Sequence, residues 1–484
     1  MFCRWPKVDV RCDTQPFPGA SQARWRRGAV PKCDCTWHRQ ARAGVQSVAT
    51  KPGPGRAPEH TRFELPDVVV LGAGIVGVCV AIHLQRRGRD VLLVDRTEPG
   101  HETSFGNAGI IQREGVRPRA FPRNFKTLLR IAANRGLDSR YELSALPGYA
   151  PALAQYWWHS APERYRKIVA DYAPLIAHSV SEHAELIAAA GAGDLIDKKG
   201  WTLLFRTEER RDNAYAEADR DAQEYGVEHA KLDAAGLARA EPSLRIRAAG
   251  ALHWIEPWTV RDPGALVAAY VALFTQGGGT VAVGDARTLR ESGSGWTVDT
   301  SAGPASAAEA VLALGPWAGE VTRKLGYHLP LFIKRGYHRE YREVPGVTLN
   351  RPVLDIETGF LLAPMRRGIR LTTGAEFAHY HAPQNHSQLD GSEAVARQLL
   401  ELGDRLDDAP WMGARPCTPD MKPVVGRAPA HRSLWFAFGH AHHGLTLGAV
   451  TGRLLGELMV GETPFLNLEP FAAERFRGGK ARGR

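Results

Sequence analysis

The hydrophobic pattern predicts a β–α–β unit near the start of the folded part of the chain. Val68 to Leu71 form a short apolar, β-branched run, which is typical of a buried parallel strand. Ile75 to Arg87 have the composition of a helix, and Gly88 follows at a position typical of a helix end. Asp90 to Val94 form a second apolar run, so we expect a strand, a turn, a helix and a second strand in succession.

Further along the chain, helices are concentrated in residues 124–190, and strands and helices alternate after them. A polar helix is predicted from Arg210 to Tyr225 and an apolar one from Asp262 to Phe274. The last apolar run, Leu434 to Phe438, leads through a glycine- and histidine-rich turn into a helix that reaches Met459. Short runs with strand character are Gly200 to Phe205, Thr280 to Val283, Arg287 to Arg290, Trp296 to Thr300, Ala310 to Leu314, Gly359 to Pro364 and Ile369 to Thr373.

Glycine-marked turns from strand to helix lie at both ends of this pattern. They predict one α/β domain that is interrupted by segments of a second domain. Three serial domains are the alternative, but no stretch within residues 61–470 has the composition of a linker.

Composition and charge fit a globular protein of two or three domains. The 484 residues are 44% hydrophobic and 24% charged, and the net charge is +10. Most of the positive excess lies in the first 60 residues, so the remainder is nearly neutral. This distribution argues against a basic nucleic-acid-binding face on the folded part. The most apolar stretch, residues 68–84, is broken by three glycines, and no stretch reaches transmembrane length.

The first 60 residues are predicted to be a disordered extension, because they are rich in Arg, Pro and Gly and have no sustained apolar period. They contain four of the six cysteines, but no second ligand pair at zinc spacing follows Cys33 and Cys35. A mitochondrial-type transit peptide and a nucleic-acid-binding head are the alternatives for this segment. With Cys79 and Cys417 alone in the remainder, we expect a reducing compartment and no disulfide.

Candidate chemistry begins with Gly72, Gly74 and Gly77, which give a G-x-G-x-x-G turn between the first strand and the first helix. The first glycine permits the tight turn, the second lets a pyrophosphate approach the backbone, and the third lets the helix pack close to the strand. Asp95 stands at the end of the second strand, where a carboxylate can bind ribose hydroxyls. The combination predicts a dinucleotide site. Asp95 disfavours a 2′-phosphate, although the neighbouring Arg96 weakens that preference.

Three further motifs accompany the glycine turn and Asp95. They are Ser104-Phe-Gly-Asn-Ala-Gly109, Arg415-Pro-Cys-Thr-Pro-Asp420 with Pro423 and Gly426, and Gly439-His-Ala-His with Gly444 and Thr446. In this order, over about residues 66–472, the four motifs resemble the D-amino-acid oxidase and glycine oxidase family of flavoproteins, in its D-amino-acid dehydrogenase branch.

The resemblance implies an FAD cofactor and an α/β fold, in which a Rossmann-type FAD-binding domain is interleaved with an α+β substrate domain. The FAD-binding domain would comprise residues 61–115, 260–328 and 411–472. The substrate domain would comprise residues 116–259 and 329–410.

The resemblance also assigns the cofactor site. The glycine turn would hold the pyrophosphate and Asp95 the adenosine ribose, while Asn107 would make a polar contact or form a turn. The first N–H groups of the last helix would face the flavin pyrimidine and stabilise its reduced form. The residues expected to contact FAD are Gly72, Gly74, Ile75, Val76, Gly77, Asp95, Arg96, Ser104, Asn107, Ala108, Gly109, Ala286, Gly315, Gly444, Leu445 and Thr446.

Arg415 is expected to bind the substrate, because a guanidinium can hold an amino acid's carboxylate with two hydrogen bonds and so direct its Cα–H toward the flavin. Tyr337 and His338 are expected to line the same pocket. Phe360 departs from the family pattern. Oxidase members tend to have a tyrosine in this strand, and phenylalanine lacks the hydroxyl that would contact the substrate carboxylate.

No metal is expected. His440, His442 and His443 lie in a glycine-rich turn. We expect them to pack and to form hydrogen bonds at the flavin edge rather than to bind a metal. Cys417 is expected to be a buried, inert thiol rather than a covalent flavin anchor.

The expected function is FAD-dependent oxidative deamination of D-amino acids to 2-oxo acids, by hydride transfer to flavin N5 and passage of the electrons to a quinone or another carrier. The alternative is an oxygen-using oxidase of glycine, sarcosine or a cyclic imino acid such as hydroxyproline. The expected partners are a small amino-acid substrate and an electron acceptor, not nucleic acid. A cytoplasmic location is expected, with at most peripheral contact with the inner face of the membrane.

Overall fold

The computed structural model describes residues 66–476. Within this range, buried apolar runs form strands and helices that the hydrophobic pattern predicts. The predicted N-terminal extension, residues 1–60, lies outside the described residues. Within residues 66–476 the α-helices are α1 (Ile75–Gln85), α2 (Phe125–Ala132), α3 (Leu146–His159), α4 (Pro162–Ala177), α5 (Ser179–Ala189), α6 (Glu208–Tyr225), α7 (Ala234–Ala240), α8 (Pro263–Gln276), α9 (Ala318–Lys324), α10 (Ser387–Leu399) and α11 (Gly444–Met459). None of the helices in this part of the chain is long and apolar enough to cross a membrane.

The strands form two large sheets and one small sheet. In chain order they are β1 (Val68–Leu71), β2 (Val91–Asp95), β3 (Ile110–Ile111), β4 (Ser139–Tyr141), β5 (Ile196–Asp197), β6 (Trp201–Phe205), β7 (His229–Leu232), β8 (Gly250–Trp254), β9 (Trp258–Val260), β10 (Thr280–Ser292), β11 (Gly295–Thr300), β12 (Gly303–Ala307), β13 (Glu309–Leu312), β14 (Phe332–Tyr341), β15 (Val353–Asp355), β16 (Phe360–Met365), β17 (Gly368–Thr372), β18 (Ala375–Phe377), β19 (Trp411–Cys417), β20 (Val424–Arg427) and β21 (Leu434–Phe438).

The first large sheet is parallel at its centre and runs in the order β12-β11-β10-β2-β1-β13-β21-β20. All four residues of β1 are buried, as expected for a strand covered on both faces, and β1 pairs in parallel with β2 and β13. The strands β10 and β21 extend the parallel region on either side. Helix α1 packs against both α8 and α11. This arrangement confirms the predicted α/β fold with a Rossmann-type sheet.

The second large sheet is mainly antiparallel. Its order is β4-β18-β14-β17-β16-β15-β6-β8-β7, and β19 pairs with β14 off this path. Helix α10 covers the sheet through Leu389, Ala396 and Leu399, which share an apolar cluster with Tyr337 and Tyr341 of β14. The small sheet has the order β3-β9-β5, and its strand β3 contacts α11.

The structure differs from the predicted elements at several places. One strand, β10, spans both predicted strands between Thr280 and Arg290, and a register shift between Asp285 and Arg290 accounts for the interrupted pattern. Helix α10 was not predicted. Strand β19 falls within the segment 411–472 that was assigned to the FAD-binding domain, yet it pairs with β14 of the second sheet. The domain boundaries therefore stay a prediction.

Candidate active site

A cavity of about 480 Å³ lies where the parallel strands end and extends to the second sheet. The turns after β1 and β13 contribute Gly72 and Leu314 to its wall, and the end of β2 contributes Asp95. Strands β14 and β19 contribute Lys334 and Arg415 from the second sheet. Open α/β sheets bind their ligands at this end of the strands, so the cavity is the candidate active site.

The glycine turn and Asp95 form one hydrogen-bonded unit at the first end of the cavity. Gly72 has a φ of +104°, which favours glycine. A Cβ on Gly77 would lie 1.8 Å from the Gly72 carbonyl oxygen, so the third glycine lets α1 pack against the turn. The Ala73 N–H donates to Asp95 Oδ2 at 2.6 Å, which fixes the carboxylate beside the turn. Gly72 and Asp95 line the cavity, whereas Gly77 stands behind its wall.

The N-terminus of α1 faces the cavity through Gly74, Ile75 and Val76. Gly74 is the N-cap and offers no side chain, so Ser104 supplies an acceptor from a neighbouring loop. The Ile75 N–H donates to Ser104 Oγ at 3.1 Å. Since Ser104 also lines the cavity, its hydroxyl and the helix N-terminus together form a polar wall suited to an anion.

The loop after Ser104 continues the wall with Asn107 and Ala108. Asn107 Oδ1 accepts from the Gly109 N–H at 2.9 Å, which is the turn-forming role that the sequence left open. Gly109 does not line the cavity among the described residues, because it is packed against β9: a Cβ there would lie 2.3 Å from the Val260 carbonyl oxygen.

Arg96, Ala286 and Gly315 line the cavity near Asp95, at the end that is predicted to bind the nucleotide (the nucleotide end). The Arg96 guanidinium lies 4.1 Å from the centre of the Trp317 ring and forms an ion pair with Glu102. Glu102 therefore balances the charge of Arg96, and the guanidinium lies over the Trp317 ring.

The N-terminus of α11 reaches the cavity from the other end of the chain. Helix α11 begins at Gly444, with no side-chain hydrogen bond from its N-cap residue, and Gly444 and Leu445 line the cavity. Thr446 does not line it: its hydroxyl donates to the Ile110 carbonyl at 3.2 Å and accepts from the Gln112 N–H at 3.2 Å. Thr446 thus ties the loop around β3 to the helix start.

Arg415 extends from β19 along the surface of β14. Its Nη1 donates to the Gly374 carbonyl at 2.9 Å. A Cβ on Gly336 would lie 2.6 Å from Nη2, so Gly336 provides the space in which the guanidinium lies. Burial lowers the pKa of Arg415, but a guanidinium remains charged at neutral pH. None of the ion pairs within residues 66–476 includes Arg415.

The structure separates Tyr337 from His338. Tyr337 borders the cavity, and its hydroxyl donates to Glu376 Oε2 at 2.6 Å. His338 is not part of the cavity wall among the described residues; its ring stacks on Trp411 with 4.8 Å between the ring centres. Burial lowers the pKa of His338 to about 3, so its ring is neutral. Trp411 occupies the wall position that is predicted for His338.

The three histidines before α11 have separate surroundings. His440 Nε2 lies 2.9 Å from Thr451 Oγ1, and His443 Nδ1 lies 2.6 Å from the Tyr172 hydroxyl. His442 lines the cavity, and burial lowers its pKa well below the ordinary value. Within residues 66–476, no group of three or more His, Cys, Asp or Glu side chains could hold a metal ion.

Several wall residues were not predicted from the sequence, and four of them bear on the substrate site. Arg119, Tyr156, Lys334 and Trp411 all line the cavity. Lys334 lies directly opposite Arg415 in the pairing of β14 and β19, and Tyr156 of α3 accepts a hydrogen bond from Lys334 Nζ at 3.2 Å. This pairing depends on strand register, and no local pattern in the sequence indicates it.

The wall residues suit FAD. Both Gly315 and Gly444 line the cavity, and a Cβ on Gly315 would meet nothing within 4 Å, while one on Gly444 would reach only His440 Cβ at 4.0 Å. The two positions therefore leave open backbone beside the cavity. Asp95, the start of α1 and the start of α11 all border this one cavity, as binding of a nucleotide joined to a ring system requires.

Fold and site together define a flavin-dependent oxidoreductase, and comparison with known proteins makes this specific. Residues 67–458 match the family model of FAD dependent oxidoreductases of the DAO type. A D-amino-acid oxidase of Bradyrhizobium diazoefficiens is 31% identical over 427 residues, which cover 84% of this chain and 98% of the relative. A D-amino acid dehydrogenase of Methylobacterium nodulans is 31% identical over 434 residues, which cover 84% of this chain and 99% of the relative. The chain therefore belongs to the DAO family of FAD-dependent oxidoreductases.

Solved structures agree on the fold. Glycine oxidase from Geobacillus kaustophilus matches with a TM-score of 0.66 at 22% identity, covering 85% of this chain and 99% of that chain. The family and the FAD cofactor that the motifs implied are confirmed.

Proposed function

We propose that the chain oxidises the Cα–N bond of a D-amino acid, and that the resulting imine hydrolyses to a 2-oxo acid and ammonia. Bound FAD supplies the two-electron acceptor for the hydride. The observation that carries the proposal is the charged Arg415 guanidinium, which faces the cavity without an acidic partner among the described residues. The names of the two relatives, a D-amino-acid oxidase and a D-amino acid dehydrogenase, support the substrate class.

Arg415 would bind the α-carboxylate and so fix the direction of the Cα–H bond. Because Nη1 is held by the Gly374 carbonyl and the guanidinium lies over Gly336, the side chain is restricted before the substrate binds. Preorganisation of this kind reduces the entropy that binding costs. Tyr337 and His338 would support this wall through Glu376 and Trp411 rather than through a proton transfer.

No side chain is assigned as a general base. The pKa of His442 lies well below its ordinary value because of burial and the nearby cations, so His442 is uncharged at neutral pH. It therefore adds no repulsion toward the substrate's amino group. If the amine binds in its neutral form, orientation and electrostatics are sufficient.

For the cofactor, we propose that the glycine turn and the start of α1 hold the pyrophosphate and that Asp95 binds the adenosine ribose. The first N–H groups of α11, at Gly444 and Leu445, would face the flavin pyrimidine, where a helix N-terminus favours the negative charge of the reduced form. Gly77, Gly109 and Thr446 would maintain the shape of the site from behind its wall.

The deciding experiment is anaerobic bleaching of the purified flavoprotein. D-amino acids, their L-enantiomers, glycine, sarcosine and hydroxyproline are mixed with the enzyme, and loss of the oxidised-flavin absorbance is followed. Bleaching by D-amino acids supports the proposal, and bleaching confined to glycine or imino acids replaces it with the alternative. Air or a soluble quinone is then admitted. We propose that a quinone or another carrier accepts the electrons from the reduced flavin. Rapid reoxidation by oxygen with release of peroxide would instead identify an oxidase. The Bradyrhizobium relative is named as one.

We further propose a cytoplasmic enzyme that contacts an anionic membrane face through an apolar patch on α2, on α3 and on the helical turn just before α3. Helix α2 has no buried residue. Arg123, just before α2, donates to the Trp157 carbonyl at 2.7 Å, so the start of α2 lies beside the end of α3.

The apolar patch consists of Phe125, Leu129, Leu143, Trp157 and Trp158, which are all exposed. Arginines lie over both tryptophan rings, at 3.9 Å for Arg123 and 3.6 Å for Arg164. Aromatic and cationic side chains together suit an anionic lipid surface.

A further inference from the structure

The cations at the nucleotide end of the cavity are neutralised by carboxylates. Arg96 pairs with Glu102. Arg287 pairs with Asp285, with Nη2 2.8 Å from Oδ2. Both arginines line the cavity. A ligand at this end therefore meets little net positive charge from side chains.

The cavity wall around β14 and β19 has the reverse character. Arg119, Lys334 and Arg415 line it, and none of the ion pairs within residues 66–476 includes any of them. Asp138 also lines the cavity, but both of its oxygens accept from Arg130, at 2.5 Å and 2.7 Å. Three positive charges thus face one region without a carboxylate to balance them.

These cations are held close to one another by the fold. Lys334 and Arg415 are directly opposite in the antiparallel pairing of β14 and β19, an arrangement in which like charges repel. Lys334 Nζ donates to the Tyr156 hydroxyl at 3.2 Å, and that hydroxyl donates to the Arg119 carbonyl. Tyr156 therefore links the backbone of Arg119 to the Lys334 ammonium.

The aromatic rings around Lys334 position its ammonium. The Nζ lies 4.5 Å from the centre of the Tyr156 ring, 5.5 Å from that of Phe332 and 5.3 Å from that of Phe377. The rings attract the ammonium but carry no carboxylate that could pair with it. Lys334 is therefore available to bind an anion.

We propose that Lys334 and Arg119 form a subsite for a second carboxylate, and that the preferred substrates are acidic D-amino acids with a side chain such as that of aspartate or glutamate. The inference rests on the proposed function, in which Arg415 binds the α-carboxylate. One carboxylate balances one of the three charges, whereas a dicarboxylate balances two. Two anionic groups on one substrate therefore relieve the repulsion between Lys334 and Arg415.

The first test compares acids with their amides, since D-aspartate and D-asparagine, or D-glutamate and D-glutamine, differ in charge at nearly constant shape. The ratio of kcat/KM for acid over amide is measured by anaerobic flavin bleaching. For the unaltered protein we expect an acid-to-amide ratio of about ten or more. In Lys334→Met and in Arg119→Gln this ratio should fall about tenfold or more. In Lys334→Arg, which keeps the positive charge, the ratio should be retained. A ratio near one in the unaltered protein, or equal losses for acid and amide, overturns the proposal.

The second test measures binding without turnover. Succinate and butyrate differ by one carboxylate, and their binding is followed by the change in the flavin absorbance spectrum. We expect succinate to bind about tenfold or more tightly than butyrate, and Lys334→Met to abolish the difference. Lys167→Met, which removes an exposed charge outside the cavity, serves as the matched control. Equal binding of the two acids overturns the subsite.

The two proposals fail in different ways. If no D-amino acid bleaches the flavin, the proposed function is wrong. If D-asparagine and D-glutamine bleach it as readily as the acids do, the proposed function stands and the second-carboxylate subsite is wrong.

Discussion

The Arg415 guanidinium lies in the space that a side chain at position 336 would fill, since a Cβ on Gly336 would be 2.6 Å from Nη2 and 3.0 Å from Cζ. Gly336→Ala should therefore displace the guanidinium while the strand stays intact, because the clash is with the end of a flexible side chain. We expect the apparent KM for the amino acid to rise roughly 10- to 100-fold, as a misplaced contact group costs about that much. Steady-state kinetics of the FAD-loaded enzyme measure it. Gly193→Ala, where a Cβ meets nothing within 4 Å, is the control and should leave KM unchanged.

Arg415→Lys keeps the charge but removes the forked pair of donors. A single ammonium cannot hold a carboxylate in two places, so we expect the apparent KM to rise about tenfold or more while FAD stays bound. Substrate titration together with the flavin absorbance distinguishes the two effects. An unchanged KM would remove Arg415 from the substrate site.

Asp95→Ala should weaken FAD binding. The carboxylate is proposed to bind the ribose, and it also accepts the Ala73 N–H, so its loss disturbs the glycine turn as well. We expect the dissociation constant of FAD to rise about tenfold or more, measured by fluorescence titration of the FAD-free protein. Asp299→Ala, which removes an acid on β11 that pairs with Arg290 outside the cavity wall, is the control. Equal FAD affinity in Asp95→Ala and the unaltered protein would contradict the assignment.

His183 should make the protein less stable in mild acid. Its Nε2 lies 2.7 Å from the Leu445 carbonyl oxygen and its Nδ1 3.0 Å from the Tyr270 hydroxyl, which suits a neutral ring that donates at Nε2. Burial lowers the pKa of His183 from 6.5 to about 4. Between pH 6.5 and 4 the unfolded state therefore binds a proton that the folded state does not, and stability falls as the pH falls.

The free energy of unfolding should decrease in this window by up to about 1.4 kcal/mol per pH unit for each such histidine. His183→Gln should give a shallower dependence, whatever its stability at neutral pH. Denaturant unfolding at a series of pH values between 7 and 5 measures both slopes, and identical slopes would show that His183 does not contribute.

Phe125→Ser combined with Leu129→Ser should reduce membrane binding without affecting the active site. Both side chains are exposed, at 72% and 55%, and neither lines the cavity. We expect less co-sedimentation with vesicles that contain phosphatidylglycerol and unchanged turnover with a soluble acceptor. If the unaltered protein does not sediment with these vesicles either, the membrane proposal is wrong.

Local patterns in the sequence were sufficient to predict the strand, the glycine turn and the position of Asp95, while their contact with FAD stays a prediction. The run Val68 to Leu71, the three glycines and Asp95 are close together in the chain, and each has a physical role that its neighbours determine. The structure places them as one hydrogen-bonded unit. The same holds for α11, whose start follows a buried strand and a glycine-rich turn.

The cavity wall formed by β14 and β19 depends on tertiary contacts, which local patterns in the sequence do not predict. Lys334 faces Arg415 because β14 and β19 pair in one register, although the 80 residues 335–414 lie between them. The position of His338 shows a signal that could have been used. Adjacent residues of a strand point to opposite faces, so Tyr337 and His338 were poor joint candidates for one pocket wall. That Trp411 covers His338 was not predictable from the pattern, because Trp411 comes from another strand.

The central parallel sheet joins β1 to β13 and β13 to β21, so its interior can be completed only with residues from near the end of the chain. Helix α11, which follows β21, packs so closely on α1 that a Cβ on Gly452 would lie 2.6 Å from the Cys79 backbone. During synthesis, β21 and α11 leave the ribosome long after the glycine turn, so a complete cofactor pocket is expected only once both have emerged. Stable binding of FAD should therefore follow synthesis of this part of the chain rather than accompany synthesis of the glycine turn.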